Sequence, residues 1–177
     1  MKQSSKCAIG GIVAALSLVM LISVAIIPFL TYALPAAAGA LIVLIVIEID
    51  KKWAFGVYAA VAILSMLLVA DKEVAVMYTA FFGYYPIVKA VFEKHMPAVL
   101  AYIVKSVCFL AAISVSYFLM IKLIGLEINE LEDYGLAAVP MLLGIGLAAF
   151  LIYDFVLTKV VIIYNNKWKK YFHRYFR

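Results

Sequence analysis

The sequence predicts an all-α integral membrane protein, a bundle of six transmembrane helices. Three observations carry that reading. Of 177 residues, 68% are apolar and only 14% are charged, whereas soluble domains have roughly 45–50% apolar and about 25% charged residues. Mean hydropathy is +1.12. The few charges gather between uncharged runs long enough to cross a bilayer, which takes about 20 residues in a helix. A water-soluble globule, a disordered tail and a nucleic-acid-binding domain are excluded by composition, so the net charge of +5 implies no nucleic-acid partner. Cys7 and Cys108 lie in apolar stretches, and two such thiols make neither a disulfide framework nor a metal motif.

The first span is expected over residues 8–29, uncharged throughout. Ala36, Ala37 and Ala38 could pass for a signal-cleavage site. However, the run before them is too long for a signal core of about 7–15 residues. Pro28 and Pro35 bracket a turn, and a second span over 33–48 ends at Glu48, Asp50, Lys51 and Lys52. The third, 53–70, stops at Asp71-Lys72-Glu73, and the fourth, 74–92, is followed by Glu93-Lys94-His95. Pro97 opens the fifth, 97–121; a helix tolerates proline at its start because that N–H would be unpaired anyway. The acidic loop 127–135 leads to a sixth span, 136–163, and a basic tail, 165–177. The whole chain reads as one transmembrane domain.

Cations are retained on the cytoplasmic side. With both termini inside, Lys2, Lys6, Lys51, Lys52, Lys89, Lys94, Lys105, Lys159 and the five tail cations lie at or toward the cytoplasm, leaving Lys72 and Lys122 outside. The tail interleaves Lys167, Lys169, Lys170, Arg174 and Arg177 with Trp168, Tyr171, Phe172, Tyr175 and Phe176. It reads as a topology-fixing stop with affinity for anionic lipid, or as a docking segment for a partner.

Charges within a bilayer are functional candidates by default. Lys105 lies about eight residues into span five, roughly 12 Å deep at 1.5 Å per residue. Asp154 lies at comparable depth in span six. Consecutive antiparallel spans are neighbours as a rule, so a Lys105–Asp154 ion pair is expected. It would serve as a helix clamp or as a proton or ion relay; the alternative is a Lys105 that snorkels to the interface independently. Glu48, Lys89 and Lys159 read as interface anchors.

Span four contains Phe81-Phe82-Gly83-Tyr84-Tyr85-Pro86. Proline removes a helix hydrogen bond and frees the Phe82 carbonyl, and a broken helix in hydrocarbon must be satisfied by protein or cavity water. This segment should therefore face the interior, as a packing kink or as the lining of a ligand cavity. Tyr78, Phe81, Phe82 and Tyr85 share one face. Thr31, Tyr32, Tyr78, Thr79, Ser114, Tyr117, Asn129 and Tyr134 fall on the outer half and could converge at one mouth. They form the candidate constellation for a small-molecule ligand.

In span one, Gly10/Ala14 and Gly11/Ala15 are small-xxx-small pairs, a smooth face for internal packing or for another subunit. The sequence has no Walker sequence, Gly-rich dinucleotide turn or HExxH, and no Ser/His/Asp set assembles on one membrane face. No enzyme activity, catalytic residue, cofactor or metal site is expected.

The opening Ser5-Lys6-Cys7-Ala8-Ile9-Gly10-Gly11-Ile12-Val13-Ala14-Ala15-Leu16-Ser17 has a cation, then small residues four apart, then Ala-Leu-Ser. With six short spans and both ends inside, it resembles the substrate-capture (S) subunits of energy-coupling-factor vitamin transporters. The resemblance implies a multi-pass protein of a bacterial plasma membrane that captures a vitamin or metal ion from outside. It would then tilt in the lipid against a transmembrane coupling subunit driven by two ATPases. It also implies that Gly10, Gly11, Ala14 and Ala15 form the docking face, departing from the family's usual alanine pair. The outer ends of spans four to six with Thr31–Tyr32 would form the pocket. The competing expectation is a structural or assembly membrane protein that acts through helix contacts and has no small ligand.

Overall fold

The computed structural model describes residues 3–124 and 138–168; among them every regular element is a helix. Helix α1 covers Gln3–Ser23, α2 Ala33–Glu48, α3 Lys51–Leu68, α4 Lys72–Met77, α5 Tyr85–His95, α6 Ala98–Ile124 and α7 Ala138–Ile163. A π-helical turn, Tyr78–Phe82, joins α4 to α5, and another, Tyr164–Trp168, follows α7. Asn129, Tyr134 and the tail beyond residue 168 lie outside the described residues.

Helix α1 buries Ile9, Gly10, Val13, Ser17 and Leu21, three or four apart, and turns Ile12, Leu16 and Val19 outward. It stops at Ser23, short of the expected residue 29. The cause is Pro28, whose ring excludes the helical conformation from the residue before it: Ile27 sits at φ −125°, ψ 76°, and a 3-10 turn, Pro28–Leu30, follows. Helix α2 takes Pro35 in its first turn, where the missing N–H costs nothing. It is the central helix, packing on α1, α3, the first π turn, α5 and α7. Its apolar residues point in all directions, as burial on all sides demands.

Two aspartates set the next two starts. Asp50 accepts from the Lys51 backbone N–H at 2.7 Å, and Asp71 from that of Glu73 at 3.1 Å, each satisfying a donor that a helix start leaves over. Helix α3 therefore begins at Lys51, two residues before the expected 53. The Lys72 ammonium donates to the carbonyls of Met66 and Val69, both at 2.9 Å, closing the end of α3.

Five helical stretches are long and apolar enough to cross a membrane: Gln3–Ser23, Lys51–Leu68, Lys72–Lys94, Val99–Ser116 and Leu143–Asn166. Ala33–Glu48 is apolar but shorter. Ile12, Val19, Ile63, Leu67, Val99, Ile103, Val107, Ile145, Ile152 and Phe155 are exposed, while Ser17, Ser65, Lys89, Lys105 and Asp154 are buried. An apolar exterior around polar interior groups suits a lipid solvent, and the chain is a multi-pass membrane protein in that sense.

One core joins α1, α2, α3 and α4 through aliphatic residues such as Leu21, Ile42, Ile45 and Val61. The second is aromatic: Phe81 and Tyr85 meet Phe109 of α6 and Phe150 and Tyr153 of α7. Phe82 packs against both.

Candidate functional site

A closed set of four charges, three of them buried, joins α5, α6 and α7. Lys89 is 3% exposed, Lys105 1% and Asp154 1%. The Lys89 Nζ lies 2.6 Å from Asp154 Oδ1 and 2.7 Å from Glu93 Oε1. The Lys105 Nζ lies 2.6 Å from the same Glu93 oxygen and 3.2 Å from Asp154 Oδ1. The four groups thus form a ring in which every neighbour has the opposite charge. Tyr85 donates its hydroxyl to Asp154 Oδ1 at 2.5 Å. Lys89 also donates to Thr158 Oγ1 at 2.8 Å and to the Asp154 carbonyl at 3.2 Å. Two ammonium groups and two carboxylates sum to zero, the condition under which buried charge is tolerable.

Each charge arrives on a helix for a local reason. Tyr85, Lys89 and Glu93 are four residues apart and share a face of α5. Asp154 and Thr158 stack the same way on α7. The expected Lys105–Asp154 contact is present, but it is one edge of a ring and not an isolated pair. Lys89, expected at the interface, is interior, because Asp154 and Thr158 supply acceptors at its level. Exchanging Lys105 with Asp154 would therefore set a lysine beside Lys89 and an aspartate beside Glu93, a rearrangement that an isolated pair would tolerate and the ring does not.

Directly beyond Tyr85 lies the interrupted part of span four. The Gly83 N–H bonds to the Tyr78 carbonyl at 2.8 Å, five residues back, and the Tyr58 hydroxyl donates to the Thr79 carbonyl at 2.7 Å. A π turn leaves carbonyls off the regular ladder, and a neighbouring helix here supplies the donor. Gly39 makes this junction possible: a Cβ on it would lie 2.2 Å from the Phe82 carbonyl oxygen and 2.8 Å from the Tyr153 hydroxyl.

The predicted ligand residues separate into groups. Phe82 and Tyr85 meet Tyr153 at ring-centroid distances of 5.2 and 5.8 Å, and Phe81 meets Phe109 and Phe150 at 5.1 and 5.9 Å. The aromatic face is thus packed upon itself. The hydroxyls of Tyr78, Thr79 and Tyr153 are buried without a hydrogen-bond partner among the described residues. Thr31 donates to the Pro28 carbonyl, and Tyr32 is exposed. No hydrogen bond or ring contact among the described residues brings either to Tyr78, Thr79, Phe82 or Tyr85. Ser114 bonds the Leu110 carbonyl of its own helix at 3.0 Å, and Tyr117 lies on α6. The expected mouth also includes Asn129 and Tyr134, which lie outside the described residues. The signal for Lys89 and Glu93 was the four-residue spacing from Tyr85; Tyr153 and Gly39 carried none.

The two small-residue pairs also divide. Gly10 is buried against α3, where a Cβ would meet Val57 at 3.1 Å. Gly11 and Ala15 face outward. Gly11 and Gly56 each have open space where a Cβ would sit. Between α1 and α3 runs an open groove of about 470 Å³, lined by Cys7, Gly10, Gly11 and Ala14 on one side and Trp53, Gly56 and Ala60 on the other.

Compared with protein-family models, curated proteins and solved structures, the chain matches none of them. No group of three or more metal-ligating side chains occurs among the described residues.

Proposed function

We propose that this chain is the membrane-embedded solute-binding subunit of an uptake transporter, of the kind the S subunits of energy-coupling-factor transporters represent. In this reading the chain crosses the cell membrane six times with both ends inside. It takes a small aromatic or heterocyclic solute from outside and docks to a transmembrane coupling subunit carrying an ATPase pair. The observation that carries the reading is the set of buried hydroxyls around the π turn, Tyr78, Thr79 and Tyr153, without a hydrogen-bond partner among the described residues. A buried unsatisfied hydroxyl costs about 1–3 kcal/mol, so such groups persist where something outside the chain completes them. The open groove between α1 and α3 supports the docking half, since small residues on both walls let a partner helix approach closely.

The test is mass spectrometry of the native protein released from detergent, with thermal stabilisation by a panel of vitamins. A retained or stabilising small molecule is expected. Tyr153→Phe should leave the fold as stable or more so, because it deletes an unpaired hydroxyl, and should weaken the ligand. A protein that emerges empty and responds to no member of the panel would favour the structural or assembly reading. The packed aromatic face suits that second reading.

A further inference from the structure

The charge ring is closed on three sides by groups that cannot leave and on the fourth by one that can. Asp154 Oδ1 already accepts from Tyr85, Lys89 and Lys105, and its side chain is 2% exposed. Glu93 is different. Its side chain is 45% exposed although its Oε1 holds both buried ammonium groups, and it stands two residues before the last residue of α5, His95. A rotation about its side-chain bonds would carry the carboxylate into solvent at little cost in packing. The two lysines would then face the space the carboxylate leaves, with one buried carboxylate between them, an excess of one positive charge. Lys89 would keep Asp154 and Thr158. Lys105 would keep only the longer Asp154 contacts of 3.2 and 3.4 Å and the Tyr102 ring, 5.1 Å away. Two converging ammonium groups that are desolvated and short of one negative charge are what an oxyanion needs.

We infer that Lys89 and Lys105 form an oxyanion site that Glu93 fills from within the chain, and that a phosphate monoester enters by displacing the Glu93 carboxylate. Lysine binds phosphate as a point charge, so the site selects charge density and not planar shape. The tethered carboxylate competes at high effective concentration, which keeps the unliganded ring neutral and sets the external anion's affinity. This site is separate from the hydroxyls at the π turn and does not depend on the solute reading.

The experiment measures thermal stabilisation of the full chain by two probes: inorganic phosphate in detergent, and phosphatidic acid added to neutral phosphatidylcholine vesicles. Chloride at matched ionic strength and phosphatidylglycerol, whose phosphate is a diester, are the controls. Wild-type protein should respond to at least one of the two probes, each of which presents a phosphate that can carry two negative charges, and Glu93→Gln, lacking the competing charge, should bind it about tenfold more tightly. Glu93→Gln with Lys105→Met, which restores neutrality, should lose that gain. If Glu93→Gln does not fold, Glu93→Asp, whose shorter side chain cannot reach both ammonium groups as Glu93 does, should also bind the probe more tightly than wild type, and unchanged affinity there would overturn the site equally. A response to inorganic phosphate marks a soluble ligand, and a response to phosphatidic acid alone marks a lipid headgroup. Equal affinity in wild type and Glu93→Gln, a gain that survives Lys105→Met, or an equal effect of the controls would overturn the site.

Discussion

Asp154→Asn is expected to destabilise the protein by about 3–5 kcal/mol, the range for removing one partner of a buried ion pair. The substitution preserves shape, so packing changes little. What changes is the charge of the ring, which goes from neutral to one positive in excess, with Lys89 and Lys105 both nearly inaccessible to water. Glu93 cannot compensate, because its Oε1 already serves both lysines. Tyr85 loses a charged acceptor at 2.5 Å as well, and hydrogen bonds to charged groups are worth about 1.5–3 kcal/mol. Thermal unfolding in detergent reads the loss. An effect under about 1 kcal/mol, typical of exposed pairs, would place Lys89, Lys105 and Asp154 in a wetter environment than their burial describes.

Gly39→Ala is the second large effect, expected to cost about 1–3 kcal/mol as overpacking. The added methyl would meet the Phe82 carbonyl oxygen at 2.2 Å and its carbon at 2.9 Å. These are backbone atoms of the π turn and cannot step aside as a side chain would. Either α2 moves away from span four or the turn shifts and carries Tyr78 and Thr79 with it. Gly11→Ala provides the contrast, since its Cβ meets nothing within 4 Å, and α1 should if anything gain stability from the better helix former. Equal behaviour of the two variants in a thermal unfolding assay would contradict the close approach of α2.

The sequence made the fold class legible because burial in lipid acts on composition, and charges at span ends mark the turns. Helix starts at Lys51 and Lys72 follow from aspartates that can be read directly. The end of α1 at Ser23 was legible only through Pro28, whose effect reaches back along the chain. The charge ring was half visible. Lys105 and Asp154 stand alone in apolar runs and attract notice, whereas Lys89 and Glu93 sit near a span boundary, where charge is ordinary. Their shared face with Tyr85 was the clue. Gly39 and Tyr153 were silent, because what makes each important is a segment distant in sequence. The mouth expected from Thr31, Tyr32, Tyr78, Thr79, Ser114, Tyr117, Asn129 and Tyr134 rests on membrane depth alone. Depth does not fix the direction in which a side chain turns, and Tyr32 turns outward.

The ring is tested most directly by the coupling between Lys105 and Asp154, measured as the unfolding free energies of wild type, Asp154→Asn, Lys105→Met and the two changes combined. The double variant retains Lys89 and Glu93, 2.7 Å apart, and is neutral again. It should therefore be more stable than Asp154→Asn alone, which requires a coupling larger than the whole cost of Lys105→Met; residues in one network couple by about 0.5–3 kcal/mol. Losses that simply add, leaving the double variant the least stable of the four, would mean that Lys105 and Asp154 do not share a buried, charge-balanced site.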